Sequence, residues 1–302
     1  MSNRILRRLR DSVQRFLHLQ ERLDAIAVLQ GRALAQANRR EAFTILGDYG
    51  FKVFSQWGED GILQFLIGEV EIANKTFIEF GVEDFTESNC RFLMMNDQWQ
   101  GFVIDGSARN VARIRSSYYF WRHDLNALAA FITRDNINDL LAQSGMDEDL
   151  GILSVDIDGS DYHVLDAIVG YRPRILVCEY NPLFPLDRAV TIPYASDFQR
   201  TRVHYSNLYF GASLPAFRAL AEGRGYAFVG TNDSGNNAFF VRDDLLTERL
   251  RRMAEHPGIA PARFRESRTR DGSLSYLSPP KAKALIAGLP VVDLDTGQLI
   301  AL

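Results

Sequence analysis

The chain is poor in cysteine and has no long apolar run, and each absence excludes a class of protein. Its two cysteines, Cys90 and Cys178, fit neither a disulfide scaffold nor a zinc motif. Cys178 lies in an apolar, strand-like segment, which suits a small core residue. No apolar segment approaches the ~20 residues that span a bilayer, and Arg and Asp interrupt the start of the chain where a signal peptide would be apolar. We expect a cytoplasmic protein in a reducing compartment.

The net charge of the chain is −4, but the charges are distributed unevenly along it. Residues 1–40 carry nine Arg against three acids, which leaves the rest of the chain at about −10. An acidic main domain repels phosphate, so we expect no nucleic-acid partner. With 46% apolar and 24% charged residues the composition is globular. We predict a helical arm at 1–45, a main domain at 46–250 and a tail at 251–302 that packs on the domain or swaps between domains.

Residues 2–38 predict one long helix. They contain no Pro and no Gly before Gly31, and their apolar residues recur at close to a three-four spacing. We interpret this helix as a coiled-coil or helix-packing arm and therefore expect a homo-oligomer. A second interpretation stays open, because four arginines near the start would suit weak contact with a membrane surface; they are Arg4, Arg7, Arg8 and Arg10.

Strand-like and helical patterns alternate from residue 54 onward. We predict strands at 76–80, 101–104, 119–122, 152–155 and 175–178 with helices between them. This alternation implies a parallel sheet covered by helices on both faces. Two more strand-like runs, at 226–230 and 238–241, flank TNDSGNN, a composition that favours a hairpin. The closing segment VVDLDTGQLIAL predicts another small hairpin, and residues 182–210 form an irregular, proline-containing insertion.

Acidic residues lie at the ends of four predicted strands, at Glu79, Asp105, Asp124 and Asp156. A carboxylate is costly to bury without a ligand or a hydrogen-bond network. Ligands of open α/β sheets bind beyond the carboxyl ends of the strands, so this row marks the expected site. Asp105 falls where such folds place a ribose-binding acid, and Glu79 suits a cationic or hydroxyl-bearing ligand. GxGxxG is missing, which argues against a dinucleotide, although Gly81 would let a ligand approach the backbone.

A second acidic group surrounds the fourth and fifth predicted strands. It contains Asp156, Asp158, Asp161, Glu179 and the amide Asn181. Carboxylate and amide oxygens are hard ligands that suit Mg²⁺ or Mn²⁺ rather than zinc. We predict a metal bound by Asp156, Asp158, Glu179 and Asn181, which would bind a substrate hydroxyl and lower its pKa. The alternative is that Asp158 caps the next helix and Glu179 forms a buried hydrogen bond.

Catalysis is assigned to Asp156 and to one of the five histidines. His204, in VHYSNLYFGAS, lies on the predicted substrate side of the sheet. A hydroxyl acceptor must lose its proton near neutral pH, which histidine can accept. His204 is therefore the predicted general base.

Seven segments within residues 50–245 together resemble the S-adenosylmethionine-dependent methyltransferases of the Rossmann-like class, and more narrowly the FkbM-type family. They are FSQWGEDGIL, FIEFGVEDFTESN, FVIDGS, LSVDIDGSDYHVLDAI, VCEYNP, YFGASLPAF and AFVGTNDSGNNAFFV. The resemblance implies an α/β fold with a seven-stranded, mostly parallel sheet whose last strand is antiparallel.

The resemblance also assigns cofactor contacts. It implies that Glu79, Gly81 and Ser88 or Asn89 hold the methionine portion, Asp105 the ribose and Asp124 the adenine. Residues of the same segments complete the predicted cofactor site; they are Gln56, Gly106, Ser107 and Asp156.

The predicted activity is transfer of the methyl group of S-adenosylmethionine to an oxygen of a carbohydrate or another small hydroxylated acceptor. Two alternatives remain at this point. One is a metal-dependent sugar or phosphoester enzyme, and the other is a catalytically silent, cofactor-binding assembly protein.

Overall fold

The structure is a computed structural model that describes residues 3–263 and 265–302 and, within the first helix, the side chains from residue 19 onward. Its ten strands are β1 (Thr76–Phe80), β2 (Gln100–Asp105), β3 (Leu125–Ala129), β4 (Ile152–Val155), β5 (Ile175–Glu179), β6 (Val190–Thr191), β7 (Tyr226–Thr231), β8 (Asn237–Arg242), β9 (Pro290–Asp293) and β10 (Leu299–Ala301). Seven of them form the central sheet in the order β3-β2-β1-β4-β5-β8-β7. Strands β1 to β5 are parallel, and β8 runs antiparallel to both of its neighbours. The predicted fold class and the 226–241 hairpin are confirmed.

Helices cover both faces of this sheet. They are α1 (Asn3–Asn38), α2 (Glu59–Glu69), α3 (Arg91–Asp97), α4 (Ala108–Ser116), α5 (Tyr118–Arg122), α6 (Ile137–Ala142), α7 (Asp161–Ala167), α8 (Arg200–Val203), α9 (Leu214–Glu222), α10 (Glu248–Glu255) and α11 (Pro279–Ile286). Side chains alternate along each strand, so Phe77 packs with α2 to α5 and α10, whereas Ile78 and Phe80 pack with α6, α7 and α9. Both faces are buried, as parallel sheets require.

The third strand was predicted at the wrong place. Residues 119–122 belong to α5, and β3 begins at Leu125. The run Tyr-Tyr-Phe-Trp has the aromatic content of a strand, but Tyr119 packs into the core from a short helix instead. Asp124 consequently precedes its strand and lies at the edge of the sheet opposite to the ends of β1 and β2.

The insertion and the tail build a second, small sheet. Its order is β10-β9-β6, and both pairs are antiparallel. The hairpin predicted for VVDLDTGQLIAL is thereby confirmed. Beside this sheet the N–H of Arg268 donates to the carbonyl of Ser206 at 3.1 Å. The tail thus packs against the insertion of its own chain and carries Glu266 to the carboxyl edge of the large sheet.

The arm packs along α2 and α3 through one face of α1. At Gly31 an added Cβ would lie 2.5 Å from a methyl group of Val53 and 2.7 Å from the ring of Phe92, so this approach requires glycine. On another face, α1 exposes a stripe of large apolar side chains: Leu19, Leu23, Ile26 and Leu29. The homo-oligomer and the membrane-surface contact stay predictions. None of the helices in the described ranges combines the length and the apolar character needed to cross a membrane.

A buried ion pair joins the arm to the main domain. Oδ2 of Asp24 lies 2.7 Å from Nη2 of Arg91, and both side chains are at least nine-tenths buried. The hydroxyl of Tyr118 donates to the same carboxylate oxygen at 2.5 Å. Nη1 of Arg91 donates to the carbonyls of Phe85 and Thr86 at 3.2 and 3.3 Å. The arm is therefore tied to the loop that follows β1.

Replacing Asp24 by alanine leaves the Arg91 guanidinium buried without its partner. We expect the Asp24→Ala variant to lose ~3–5 kcal/mol of unfolding free energy, measured by urea unfolding. The control is Glu222→Ala, which breaks a half-exposed pair with Arg218 within α9 and should lose less than ~1 kcal/mol. Equal losses in the two variants would contradict the role given to the buried pair.

Candidate functional site

A cleft of two adjoining cavities lies at the carboxyl ends of β1, β2, β4 and β5. The first, here the Phe131 cavity, has a volume of about 180 Å³ and is lined by apolar side chains together with Ser160 and four acids, one of them Asp105. The second, here the acidic cavity, has a volume of about 200 Å³ and is lined by seven acids and one arginine. Both cavities are bordered by Gly81, Glu83, Asp156 and Asp158. One continuous cleft therefore crosses the predicted site.

Gly81 brings two loops of this cleft into contact. It follows β1 with a φ of +70°, and an added Cβ would lie 1.6 Å from the carbonyl oxygen of Asp156. Its N–H donates to the carbonyl of Ile104 at 2.9 Å. Only glycine fits this approach. The loops after β1 and β4 meet because residue 81 has no side chain.

The carboxylate of Glu79 organises the loop after β1. It accepts hydrogen bonds from the Ser88 hydroxyl at 2.6 Å and from the N–H groups of Asn89 and Cys90 at 2.7 and 3.2 Å. Burial raises the pKa of Glu79 to about 7, against the lowering effect of these donors. The amide of Asn89 donates to the hydroxyl of Ser154 on β4 at 3.1 Å. Three of the predicted cofactor residues therefore form one hydrogen-bonded unit in the acidic cavity.

Asp105 holds the turn after β2 in the same way. One carboxylate oxygen accepts from the N–H of Glu83 at 2.9 Å, and the other accepts from the N–H of Ser107 at 2.8 Å. The hydroxyl of Ser107 in turn caps α4. Asp105 and Gly106 both line the Phe131 cavity. The structure thus places Asp105 and Gly106, two of the predicted cofactor residues, at one end of the cleft.

The segment FSQWGED closes over the acidic cavity. Gln56 lines the cavity, while the buried carboxylate of Asp60 accepts from the backbone N–H groups of residues 53–55 at 2.7–2.8 Å. Burial raises the pKa of Asp60 to about 6. Asp60 therefore fixes the backbone that carries Gln56, a role that the sequence did not reveal.

Glu59 ties the same segment to the turn between β7 and β8. Its Oε1 accepts from the side-chain amides of Asn232 and Asn237 at 2.6 and 2.8 Å. Asn237 is buried, lines the acidic cavity and stands opposite Glu179 in the β5–β8 register. Its Oδ1 has no hydrogen-bond partner among the described residues. The bond to Glu59 fixes the amide with its nitrogen toward Glu59.

The acids after β4 and β5 converge in the acidic cavity. One oxygen of each of Asp156, Asp158 and Glu179 lies within 4.8 Å of the others. Burial, together with neighbouring acids, raises the pKa of Asp156 well above its usual range and that of Glu179 to about 8. Asp158 has a φ of +56° and forms an ion pair with Arg200. Three of the four predicted metal ligands are therefore close together.

Asn181 does not join these acids, which corrects its assignment as a metal ligand. Its Nδ2 donates to the carbonyls of Leu208 and Phe210, both at 3.0 Å. Its Oδ1 accepts from the N–H of Leu183 at 3.0 Å. Both ends of the amide are engaged by backbone, so Asn181 holds the insertion to the end of β5.

His204 and Asp124 lie outside the cleft. His204 follows α8, and its Nδ1 lies 2.7 Å from the hydroxyl of Ser206. It lines neither cavity, which corrects its assignment as general base. Burial lowers its pKa. Asp124 belongs to the opposite edge of the sheet, which corrects its assignment to adenine.

Several lining residues were not predicted. The tail and the insertion supply Glu266, Arg200 and Phe198, and the end of β3 supplies Phe131. Arg200 stacks on Phe210 with its guanidinium carbon 4.0 Å from the ring centroid. The spacing of apolar residues in a sequence does not show that an irregular insertion folds back over the cleft. Phe131, however, would have been found if β3 had been placed correctly.

Comparisons with known proteins give similarity of fold only. No family model matches the chain, and no curated protein sequence matches it. Similar solved structures include an S-adenosylmethionine-dependent methyltransferase from Clostridium acetobutylicum, at 7% identity and a TM-score of 0.39 over 61% of this chain and 90% of that one. An O-methyltransferase family protein from Burkholderia thailandensis has 13% identity and a TM-score of 0.35 over 72% and 71%. The N-terminal domain of EvdMO1 with SAH bound has 9% identity and a TM-score of 0.38 over 70% and 94%. The FkbM-type resemblance stays a prediction.

The close approach of Gly81 to the carbonyl of Asp156 predicts that position 81 does not tolerate a side chain. We expect Gly81→Ala to unfold at a much lower temperature than the wild type, because a Cβ overlaps the Asp156 carbonyl and the φ is positive. Gly68 in α2 has open space around its Cα, so Gly68→Ala should be neutral or stabilising by up to ~1 kcal/mol. Differential scanning calorimetry of both variants measures the midpoint of thermal unfolding. An unchanged midpoint for Gly81→Ala would contradict the predicted steric overlap.

Proposed function

We propose that the protein is an S-adenosylmethionine-dependent methyltransferase that methylates an oxygen of a carbohydrate or another small hydroxylated acceptor. The observation that carries the proposal is the cleft itself, in which a partly apolar cavity with a fixed carboxylate adjoins an acidic one. This cleft lies where the strand order reverses between β1 and β4, the usual ligand position in open α/β sheets.

The Phe131 cavity fits the adenosine part of such a cofactor. Phe131, Ile132, Ile157 and Phe198 offer apolar surface for a base. The carboxylate of Asp105 is held at this cavity by backbone N–H groups on both of its oxygens. Oδ1 also accepts from Nδ2 of Asn110 at 3.2 Å, so Oδ2 is the oxygen that keeps a lone pair for a ribose hydroxyl.

The acidic cavity fits the charged end of the cofactor. S-adenosylmethionine brings a sulfonium and an ammonium group beside one carboxylate, and a cavity with seven carboxyl groups and one arginine favours the two cationic groups. Glu79, Ser88, Asn89 and Gln56 are the groups that would hold the methionine portion.

The acceptor has to approach from the side of Asp156 and Glu179. When bound, the cofactor supplies an electrophilic methyl group on sulfur, and the acceptor oxygen must reach it in line with the breaking carbon–sulfur bond. Asp156 borders both cavities, as do Glu83 and Asp158, and therefore lies where cofactor and acceptor would meet. Hydroxyl groups of a sugar can donate to the carboxylates that line this side.

Binding and transfer are tested together. We expect calorimetry at pH 7.5 to give one S-adenosylmethionine per chain, and mass spectrometry of a sugar panel to show the gain of one methyl group. Absence of binding at millimolar cofactor contradicts the proposal. Binding without any methylated product across the panel favours the silent assembly protein, and turnover of sugars without the cofactor favours the sugar-enzyme alternative.

The pKa of Glu79 predicts a pH dependence of cofactor binding. Below about 7 this carboxyl is largely protonated, so it neither attracts a cation nor accepts fully from the Ser88–Cys90 loop. Affinity for S-adenosylmethionine should therefore rise between pH 6 and pH 7.5, within about one pH unit of that pKa. Glu79→Gln should bind at least ~10-fold more weakly, as expected for one lost charged hydrogen bond, and with a smaller rise in affinity between pH 6 and pH 7.5, the remainder coming from Asp156 and Glu179 in the same cavity. Glu222→Gln is the exposed control and should retain the wild-type pH profile.

A further inference from the structure

The buried guanidinium of Arg91 contacts both the FSQWGED segment and the loop after β1. It stacks on the ring of Phe54, with its carbon 4.1 Å from the ring centroid. Its Nη1 donates to the carbonyls of Phe85 and Thr86 at 3.2 and 3.3 Å. The N–H of Ser88 donates to the carbonyl of Phe54 at 3.1 Å. One arginine therefore joins two segments that also contact each other.

These two segments supply polar groups to the acidic cavity. The first carries Gln56, and the second carries Ser88 and Asn89. Phe85 in the second segment has a φ of +64°, a backbone conformation that residues other than glycine rarely adopt and that persists only where surrounding contacts hold it. The hydrogen bond from Arg91 to the Phe85 carbonyl is such a contact. Arg91 thus fixes the backbone that brings these polar groups to the cavity.

Asp24 of the arm determines where the guanidinium of Arg91 lies. Its Oδ2 is 2.7 Å from Nη2 of Arg91 and also accepts from the hydroxyl of Tyr118 at 2.5 Å. Its Oδ1 accepts from the side-chain amide of Gln20 at 2.8 Å. The carboxylate is 7% exposed and the guanidinium 4%, so water does little to screen either charge. The arm therefore supplies the counter-ion of the arginine that joins the two segments.

The guanidinium of Arg91 would not keep this position without a counter-ion. Burying a charge without its partner is costly, so loss of the Asp24 carboxylate favours movement of Arg91 toward water. That movement would remove the hydrogen bond to Phe85 and the stacking on Phe54 together. The two segments would then be less ordered before a ligand binds, and the ligand would lose affinity because it has to order them.

We propose that Asp24 is a positioning residue for the cofactor, because through Arg91 it holds the two segments in the arrangement that binds S-adenosylmethionine. The arm thus contributes to the cleft although none of its described residues lines either cavity. Coupling of this kind is reciprocal, so bound cofactor also strengthens the docking of the arm. The identity of the ligand rests on the proposed function, whereas the ordering of the loop by Asp24 does not.

The test compares S-adenosylmethionine binding by calorimetry in the full-length wild type, Asp24→Asn and Asp24→Ala. Asparagine keeps an oxygen that accepts from Arg91 but lacks the charge, so we expect the affinity to fall in that order. The loss for Asp24→Ala should be ~3- to 30-fold, the range for residues that act on a site through others. Circular dichroism verifies that each variant is folded, and Asp24→Asn decides the test if Asp24→Ala is not.

Hydrogen exchange without cofactor measures the loop directly. The N–H groups of Asn89 and Cys90 donate to Glu79. In both Asp24 variants they should exchange faster relative to the N–H groups of β5, because local opening of the loop exposes them without unfolding the sheet. An unchanged ratio of the two exchange rates contradicts the proposal.

The matched control is Asp149→Ala, which breaks ion pairs with Arg174 and Arg242 at 2.6 and 2.7 Å. Both arginines are 10% exposed and line neither cavity, so this variant loses stability without disturbing Arg91. It should keep the wild-type cofactor affinity and exchange ratio. Equal effects of Asp24→Ala and Asp149→Ala on both measurements overturn the proposal.

The two measurements separate this proposal from the proposed function. A wild type that binds no S-adenosylmethionine at millimolar concentration refutes the function, and the exchange ratio then decides alone whether Asp24 orders the loop. A wild type that binds the cofactor no better than Asp24→Ala leaves the function standing and refutes the positioning role.

Discussion

Backbone N–H groups hold the buried carboxylates at the carboxyl edge of the sheet, and the loops of the cleft depend on them. A buried carboxylate is tolerated only with donors around it. Asp60 accepts from the N–H groups of residues 53–55, and Glu79 accepts from the Ser88 hydroxyl and the N–H groups of Asn89 and Cys90. Asp105 accepts from the N–H groups of residues 83 and 107. Glu79 and Asp105 therefore both shape a loop and line the cleft, whereas Asp60 shapes a loop without lining either cavity. The loops of the cleft are held in place by hydrogen bonds to buried carboxylates.

The sequence located this edge because an acid after an apolar run is a strong local signal. Glu79, Asp105 and Asp156 all lie at the ends of strands that the apolar pattern identified, and the parallel order of β1, β2 and β4 brings them to one side. The prediction failed at β3, where aromatic residues of a short helix resembled a strand. Asp124 was misplaced by the same error, since its role depended on the strand before it.

The remaining errors concern contacts between distant parts of the chain. Asn181 and Asn237 look alike in the sequence, but backbone carbonyls of the insertion engage one and Glu59 orients the other. Arg200 and Glu266 reach the cleft only because the tail and the insertion pack on one another. His204 had the right chemistry for a base, yet the same insertion places it outside the cavities. Local patterns contain no information about such pairings.

The position of β8 between β5 and β7 has a kinetic consequence. The strand pairings Phe77–Ile152 and Glu179–Asn237 join residues 75 and 58 positions apart, whereas the bond from Asn237 to Glu59 joins residues 178 positions apart. Contacts of high sequence separation form slowly, because the entropy of loop closure precedes their gain. The contact between Glu59 and Asn237 therefore forms after the strands that carry the other acids have paired, and the wall of the acidic cavity is completed late in folding.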